Sequence, residues 1–393
     1  MKSSVRTVCA IAFTGATLSA TQVSAQPYAF TLLGTLGGTN SDAYAINNTG
    51  VIAGSASTIG DTATHATVWH GTTSTDLGTL GGTNSYAIAI NDAGIVAGES
   101  YTTGNATFHA AMWNGATVTD LGTLGGTQSF VQSINSAGVV AGYSLLAPGG
   151  APYHATVWHG TTPTDLGTLG GTNSYAIDIN DAGVVAGFSD IVGGGYHATV
   201  WNGATATDLG TLGGGGSSAG GINDAGVVAG SSDIPGNTAF HATVWNGTTP
   251  SDLGTLGGTY SQAVAINNSG QVVGWSYTTG NIAEHAALWN GATATDLNSL
   301  LDPSVVSAGW VLLGANAIND QGWIVGPALN INTGTHEGYL LAPVPEPETW
   351  ALLLLGLGLL ASRRRQSETG RSLISTKENR RLCRIGARQE LSD

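Results

Sequence analysis

Between residues 28 and 342 the hydrophobic positions fall in short runs spaced for strands, and helical periodicity is absent. One unit shows the pattern. Ser85-Tyr86-Ala87-Ile88-Ala89-Ile90 is apolar after its first residue and reads as a strand. Asn91-Asp92-Ala93-Gly94 reads as a turn, with glycine supplying positive φ. Ile95-Val96-Ala97-Gly98 is a second strand, rich in β-branched residues. A polar stretch at 101–107 leads to a third, His109-Ala110-Ala111-Met112-Trp113. Asn114-Gly115 is the strongest two-residue hairpin signal, and a fourth strand follows over 116–124. Gly125-Gly126-Thr127 then crosses to the next unit.

The unit repeats. Leu-Gly-Thr-Leu-Gly-Gly starts at Leu33, Leu77, Leu121, Leu166, Leu209 and Leu253, at steps of 44, 44, 45, 43 and 44 residues. A degraded seventh copy starts at Leu297. Ile-Asn-x-x-Gly occurs seven times, at Ile46, Ile90, Ile134, Ile179, Ile222, Ile266 and Ile318. Four antiparallel strands in one such period are the content of a β-propeller blade. The chain enters the pattern at a fourth strand, 28–36, and leaves it after a third, 336–341. Complementary ends suit a ring, because the first strand can complete the last blade and remove two open sheet edges. The expected fold is all-β: a seven-bladed β-propeller over 28–342, closed by the N-terminal strand, with a β-solenoid as the alternative.

If Asn114-Gly115 is the two-residue loop, cross-strand partners sum to 229 and His109 faces Asp120. The same arithmetic pairs His65 with Asp76, His154 with Asp165, His197 with Asp208, His241 with Asp252 and His285 with Asp296. At the seam, His336 is expected opposite Leu32, with only Glu337 nearby. A His–Asp pair suits acid–base chemistry. Catalysis needs one such pair beside a nucleophile or substrate, however, not six equivalent copies. The pairs are read as framework, each with a buried carboxylate. Trp69, Trp113, Trp158, Trp201, Trp245 and Trp289 recur at the end of the third strand and are read as packing between blades. Trp275, Trp310 and Trp323 break that pattern and are candidates for a binding surface, with core filling the favoured reading. Asp92, Asp181, Asp224 and Asp320 sit in the Asn-x-x-Gly turns. No EF-hand-like donor spacing accompanies them. Neither a metal nor a cofactor is expected.

Charge sharpens the picture. All 11 Lys and Arg lie at Lys2, at Arg6 or beyond Ser362, while residues 26–342 carry 19 Asp and Glu. Nucleic-acid binding needs cationic side chains and is excluded; docking on an anionic membrane surface is excluded likewise. The two cysteines, Cys9 and Cys383, lie outside the repeats and cannot staple them.

Residues 1–25 read as a secretory signal: Lys2 and Arg6, a mostly apolar stretch at 8–18, and Val23-Ser24-Ala25 as cleavage site. Near the other end, Val344-Pro345-Glu346-Pro347-x-Thr349 precedes an apolar run at 349–361 and then Arg363-Arg364-Arg365. That order resembles the PEP-CTERM sorting signal of Gram-negative bacteria over 343–365. The resemblance implies a hydrophobic helix that anchors transiently in the inner membrane, recognition by the membrane protease exosortase, and an exported destination: periplasm, outer surface or medium. Residues 366–393 are charged, aperiodic and expected to be disordered. The repeat itself resembles the extracellular HAF-repeat family, with Thr or Ala where Phe is usual (His65-Ala66-Thr67). That resemblance implies export and a propeller-like fold and brings no active site. The expected function is a non-enzymatic cell-surface or matrix protein, a binding or scaffold module associated with extracellular polysaccharide. Its variable loops at 57–64, 101–107, 145–152, 190–195, 233–239 and 277–283 fall on one face. The alternative is a polysaccharide-active hydrolase or lyase built on paired carboxylates. Glu99, Asp178 and Glu284 are the acids outside the repeat pattern that such a reading needs.

Overall fold

Each Asn-x-x-Gly turn is built from its own residues. Asn91 Oδ1 accepts from the backbone N–H groups of Ala93 (3.1 Å) and Ile95 (3.0 Å), and Gly94 N–H donates to Asn91 O. The strands flanking this turn, Gly81–Ile90 and Val96–Thr102, pair antiparallel, and Phe108–Asn114 and Thr117–Asp120 complete a four-stranded sheet in chain order. The structure is a computed structural model describing residues 28–344. Within it six sheets have this order, with first strands Gly37–Ile46, Gly81–Ile90, Ser129–Ile134, Gly170–Ile179, Ser217–Ile222 and Gly257–Ile266; these are blades 1 to 6.

The seventh blade is shared by the two ends of the repeat region. Tyr28–Leu32 pairs antiparallel with His336–Pro343, in register from Tyr28 opposite Pro343 to Leu32 opposite Tyr339. Ile324–Asn330 follows, then an inner strand broken into Trp310–Leu312 and Ala317–Ile318. The break follows an insertion, because Ile266 and Ile318 are 52 residues apart and the extra chain forms a 3-10 turn, Leu297–Leu300, and a short helix, Pro303–Ser307.

Closure is visible in one further set of bonds. The buried Asn of each turn donates its Nδ2–H to the backbone carbonyl of the matching Asn in the next blade, from Asn47 to Asn91 O (3.0 Å) and on to Asn267 with Asn319 O (3.0 Å). Asn319 then donates to Asn47 O at 3.1 Å, which closes the circle. The protein is a seven-bladed β-propeller and not an open solenoid.

Neighbouring blades are joined by small buried polar groups and by tryptophan. Ser85 Oγ accepts from Ala66 N of the preceding blade (2.9 Å) and donates to Gly78 O in the crossover (2.7 Å). Trp113 packs on Ala53, Ala66 and Val68 of blade 1 as well as on Ala87 and Val96 of its own blade. All six equivalent tryptophans are at most 1% exposed, and their indole N–H groups have no acceptor among the described residues. A buried donor without a partner costs roughly 1–3 kcal/mol; the ring's apolar contact offsets it.

Two register expectations are corrected. The observed partners are Asn114 with Thr117 and Ala111 with Asp120. Gly115 therefore takes the first loop position, at φ +58°, where a type II′ turn wants glycine, and the pairing slips by two residues. His109 lies diagonal to Asp120 instead of facing it. At the seam, Tyr339 and not His336 is opposite Leu32, and His336 faces Leu329 on the other side. The expected signal at 1–25, the sorting segment with Pro345, Glu346, Pro347, Arg363, Arg364 and Arg365, its apolar helix, and the tail at 366–393 lie outside the described residues.

Candidate functional site

The His–Asp pairs bridge the third and fourth strands of blades 1 to 6. Nδ1 of His65, His109, His154, His197, His241 and His285 lies 2.7 to 2.9 Å from a carboxylate oxygen of Asp76, Asp120, Asp165, Asp208, Asp252 and Asp296. The other face of the carboxylate holds the crossover: Gly78 N–H donates to Asp76 Oδ1 at 2.7 Å, an Asx turn repeated in the later blades. Hydrogen bonding to Asp120 raises the pKa of His109 and lowers that of the aspartate. The carboxylates are not buried, since Asp208 is 42% exposed. In the seventh blade Glu337 takes the histidine position and Leu32 the aspartate position, and burial raises the pKa of Glu337 while the nearby Gly34 backbone lowers it.

The turns converge around the mouth of the central channel, in a cavity of about 210 Å³ lined by Asn48, Asp92, Asp181, Asp224, Asn268 and Asp320 among others. Most members accept from a backbone N–H of the blade before: Asn48 N–H to Asp92 Oδ1 is 2.7 Å and Asp181 N–H to Asp224 Oδ1 is 3.0 Å. Asn268 Nδ2 bridges Asp224 (2.8 Å) and Asp320 (3.2 Å). One layer deeper, Asp178 accepts from Ser133 Oγ (2.6 Å), Ile179 N–H (2.8 Å) and Ile222 N–H (2.8 Å). Burial still raises its pKa. The other blades carry Ala45, Ala89, Ser133, Gly221, Ala265 and Ala317 at that position.

The three unpatterned acids are not brought together. Asp178 lies on the first strand of blade 4, Glu99 on the second strand of blade 2, and Glu284 at the start of the third strand of blade 6. Burial pushes Glu99 up to about 8, against a single N–H from Val131. Partial burial also raises Glu284.

An aromatic belt lies around Glu99. Tyr86, Phe108, Phe130, Tyr143, Tyr175, Phe188 and Tyr196 form a continuous chain of rings from blade 2 to blade 4, with centroids 4.7 to 6.0 Å apart. Most are half-buried, and Tyr196 is 48% exposed. Phe108 and Tyr196 are first residues of third strands, so the belt borders the loops between second and third strands. Sequence reasoning missed it, although repeat alignment places aromatics at 86, 130 and 175, and again at 143 and 188. Of the irregular tryptophans, Trp275 packs edge-on against Phe240 and Tyr277, both at 5.9 Å. Trp310 packs on the core of the seventh blade, and Trp323 on that of blade 1.

Fold and sequence together define an exported β-propeller protein. A model of the PEP-CTERM protein-sorting motif matches residues 343–366. The motif implies export, transient membrane anchoring and processing by exosortase. No curated protein matches the chain. Among solved structures the chain is similar to the crystal structure of TolB from Acinetobacter baumannii, at 10% identity and a TM-score of 0.41. That similarity covers 75% of this chain and 64% of the TolB chain.

Proposed function

We propose that the protein is a non-enzymatic surface or matrix component that binds extracellular polysaccharide through the belt-bearing face of its propeller. The aromatic belt carries this reading. Blade 1 has Asp42 and Thr64 where blades 2 to 4 carry rings, and Ser55 where blades 3 and 4 do, and it forms the same four-stranded sheet. The rings are thus surplus to blade construction. A row of partly exposed rings suits the apolar C–H faces of sugars, and a chain without Lys or Arg from 26 to 342 suits neutral polymers better than anionic ones. The separation of Glu99, Asp178 and Glu284 on blades 2, 4 and 6 speaks against a paired-carboxylate hydrolase. The HAF-repeat resemblance and the sorting motif agree with a place in the cell envelope or matrix. A glycan array combined with a reducing-end release assay tests the reading. Binding without release of sugar ends is expected. Release that Glu99→Ala or Glu284→Ala abolishes would overturn it.

A further inference from the structure

The repeat is broken at one place by several small residues at once. In blade 4, Asn173 fills a gap beside the third strand of blade 3. Its Oδ1 accepts from Tyr153 N–H (3.2 Å) and its Nδ2 donates to Asp190 Oδ2 (2.9 Å). Asn84 uses its oxygen in the same way toward Thr64 N–H (2.9 Å). Blade 5 has Gly216 at this position. The donor and the acceptor are still there as Tyr196 and Asp233, at the same offsets of 20 and 17 residues, and the amide that joined them is gone. A β-carbon placed on Gly216 stands 3.2 Å from Asp233 Oδ2 and 3.7 Å from Tyr196 Cζ, so the vacated seat is bounded by those two residues. The aromatic belt fails at the same point, where Ser218 and Ser231 replace the rings of blades 3 and 4 and touch each other at 3.2 Å. The result is a groove of about 220 Å³ lined by Tyr196, Ser218, Ser231, Asp233, Phe240 and Gln262.

We propose that this groove binds the acetamido group of an N-acetylated hexosamine in a glycan chain. The acetamido carbonyl replaces Asn Oδ1 and accepts from Tyr196 N–H. Its N–H replaces Asn Nδ2 and donates to Asp233. The sugar ring lies between Tyr196 and Phe240, with the serine hydroxyls below it. A free amine fits worse, because it offers no carbonyl to the backbone donor. A uronate is repelled by Asp233, and no Lys or Arg between 26 and 342 balances it. The flanking rings favour a sugar over the carboxamide of a peptide side chain, which has no C–H face to stack. The assignment rests on the polysaccharide-binding reading and gives it a sugar class and a place.

Gly216→Asn makes the test clean. It restores the residue that Asn84 and Asn173 supply in blades 2 and 4, the φ of Gly216 is not left-handed, and the Asp233 carboxylate at 3.2 Å is the end of a side chain that can give by the few tenths of an ångström a β-carbon needs. The full-length chain in mild detergent is titrated calorimetrically with trimers of N-acetylglucosamine, glucosamine and glucose, and with an asparagine-containing peptide. The acetylated trimer is expected to bind at least tenfold more tightly than the other three. G216N should lose at least tenfold of that affinity with its melting temperature unchanged, and Tyr196→Ala should lose it in part. Equal binding of the trimers, preference for the peptide, or full binding by G216N overturns the assignment. If G216N still binds the producing cell's polysaccharide as wild type does, the groove is wrong and the wider reading stands. If wild type binds neither polymer nor trimers, both fall.

Discussion

At the residue scale, the six histidines and their aspartates show how far chemistry can be read from spacing. Their partnership was legible because six copies agree on the 11-residue offset. Their environment was not: an offset says nothing of solvent, and Asp208 is two-fifths exposed while His197 is one-fifth exposed. Water can replace the imidazole, so His197→Ala should lower stability by only about 0.5–1.5 kcal/mol in urea unfolding. A loss far beyond that range would show that the carboxylate is more secluded than its exposure indicates. Glu99 is the opposite case, an acid whose sequence position gives no hint of its burial. Its carboxyl titrates near 4.5 unfolded and near 8 folded. Below the lower value both states hold the proton and no charge is buried. Between the two values the unfolded chain releases a proton that the folded chain keeps, so stability falls as pH rises. Above the higher value the full cost is present. Melting temperature should therefore decline from pH 5 to pH 8 in wild type and decline less in Glu99→Gln. His109, raised by Asp120, also loses stabilisation with rising pH, but it is common to both proteins and cancels in the comparison. Parallel curves would remove Glu99 from the account.

At the element scale, strand order was legible and strand pairing was not. Alternation, β-branched runs and Gly-bearing turns marked four strands per unit. The hairpin register slipped by two because an Asn-Gly pair can enter a turn in more than one phase, and here glycine takes the first loop position. The Asn-x-x-Gly turn looked like local chemistry alone. In the ring its Asn also joins blades, since Asn223 Oδ1 accepts from Val227 N–H (3.0 Å) and its Nδ2 donates to Asn267 O (3.3 Å). Asn223→Ala removes both bonds in a buried setting and should cost about 1–3 kcal/mol in urea unfolding. Asn223→Asp keeps the acceptor but sets a carboxylate against the Asn267 carbonyl, and it should cost more. An aspartate variant as stable as wild type would show that the inter-blade bond contributes nothing.

At the scale of the whole molecule, the ring was legible from its ends: a unit cut between its third and fourth strands can be completed only by the other end of the repeat. Deleting residues 28–32 exposes the edge of His336–Pro343. The shortened protein should aggregate or melt at a clearly lower temperature by light scattering and calorimetry; an unchanged melt would mean that the seam carries no load. The belt was hidden at this scale because it crosses blades, and a single repeat shows no more than three of its rings. The functional account rests on that belt holding the exported protein to a neutral glycan. Fractionation of the producing cells tests this most directly, by comparing where the protein lies with the extracellular polysaccharide present and with its synthesis deleted. The protein should co-fractionate with the polymer when it is made and appear in the medium when it is not; an identical distribution in both strains would contradict the account.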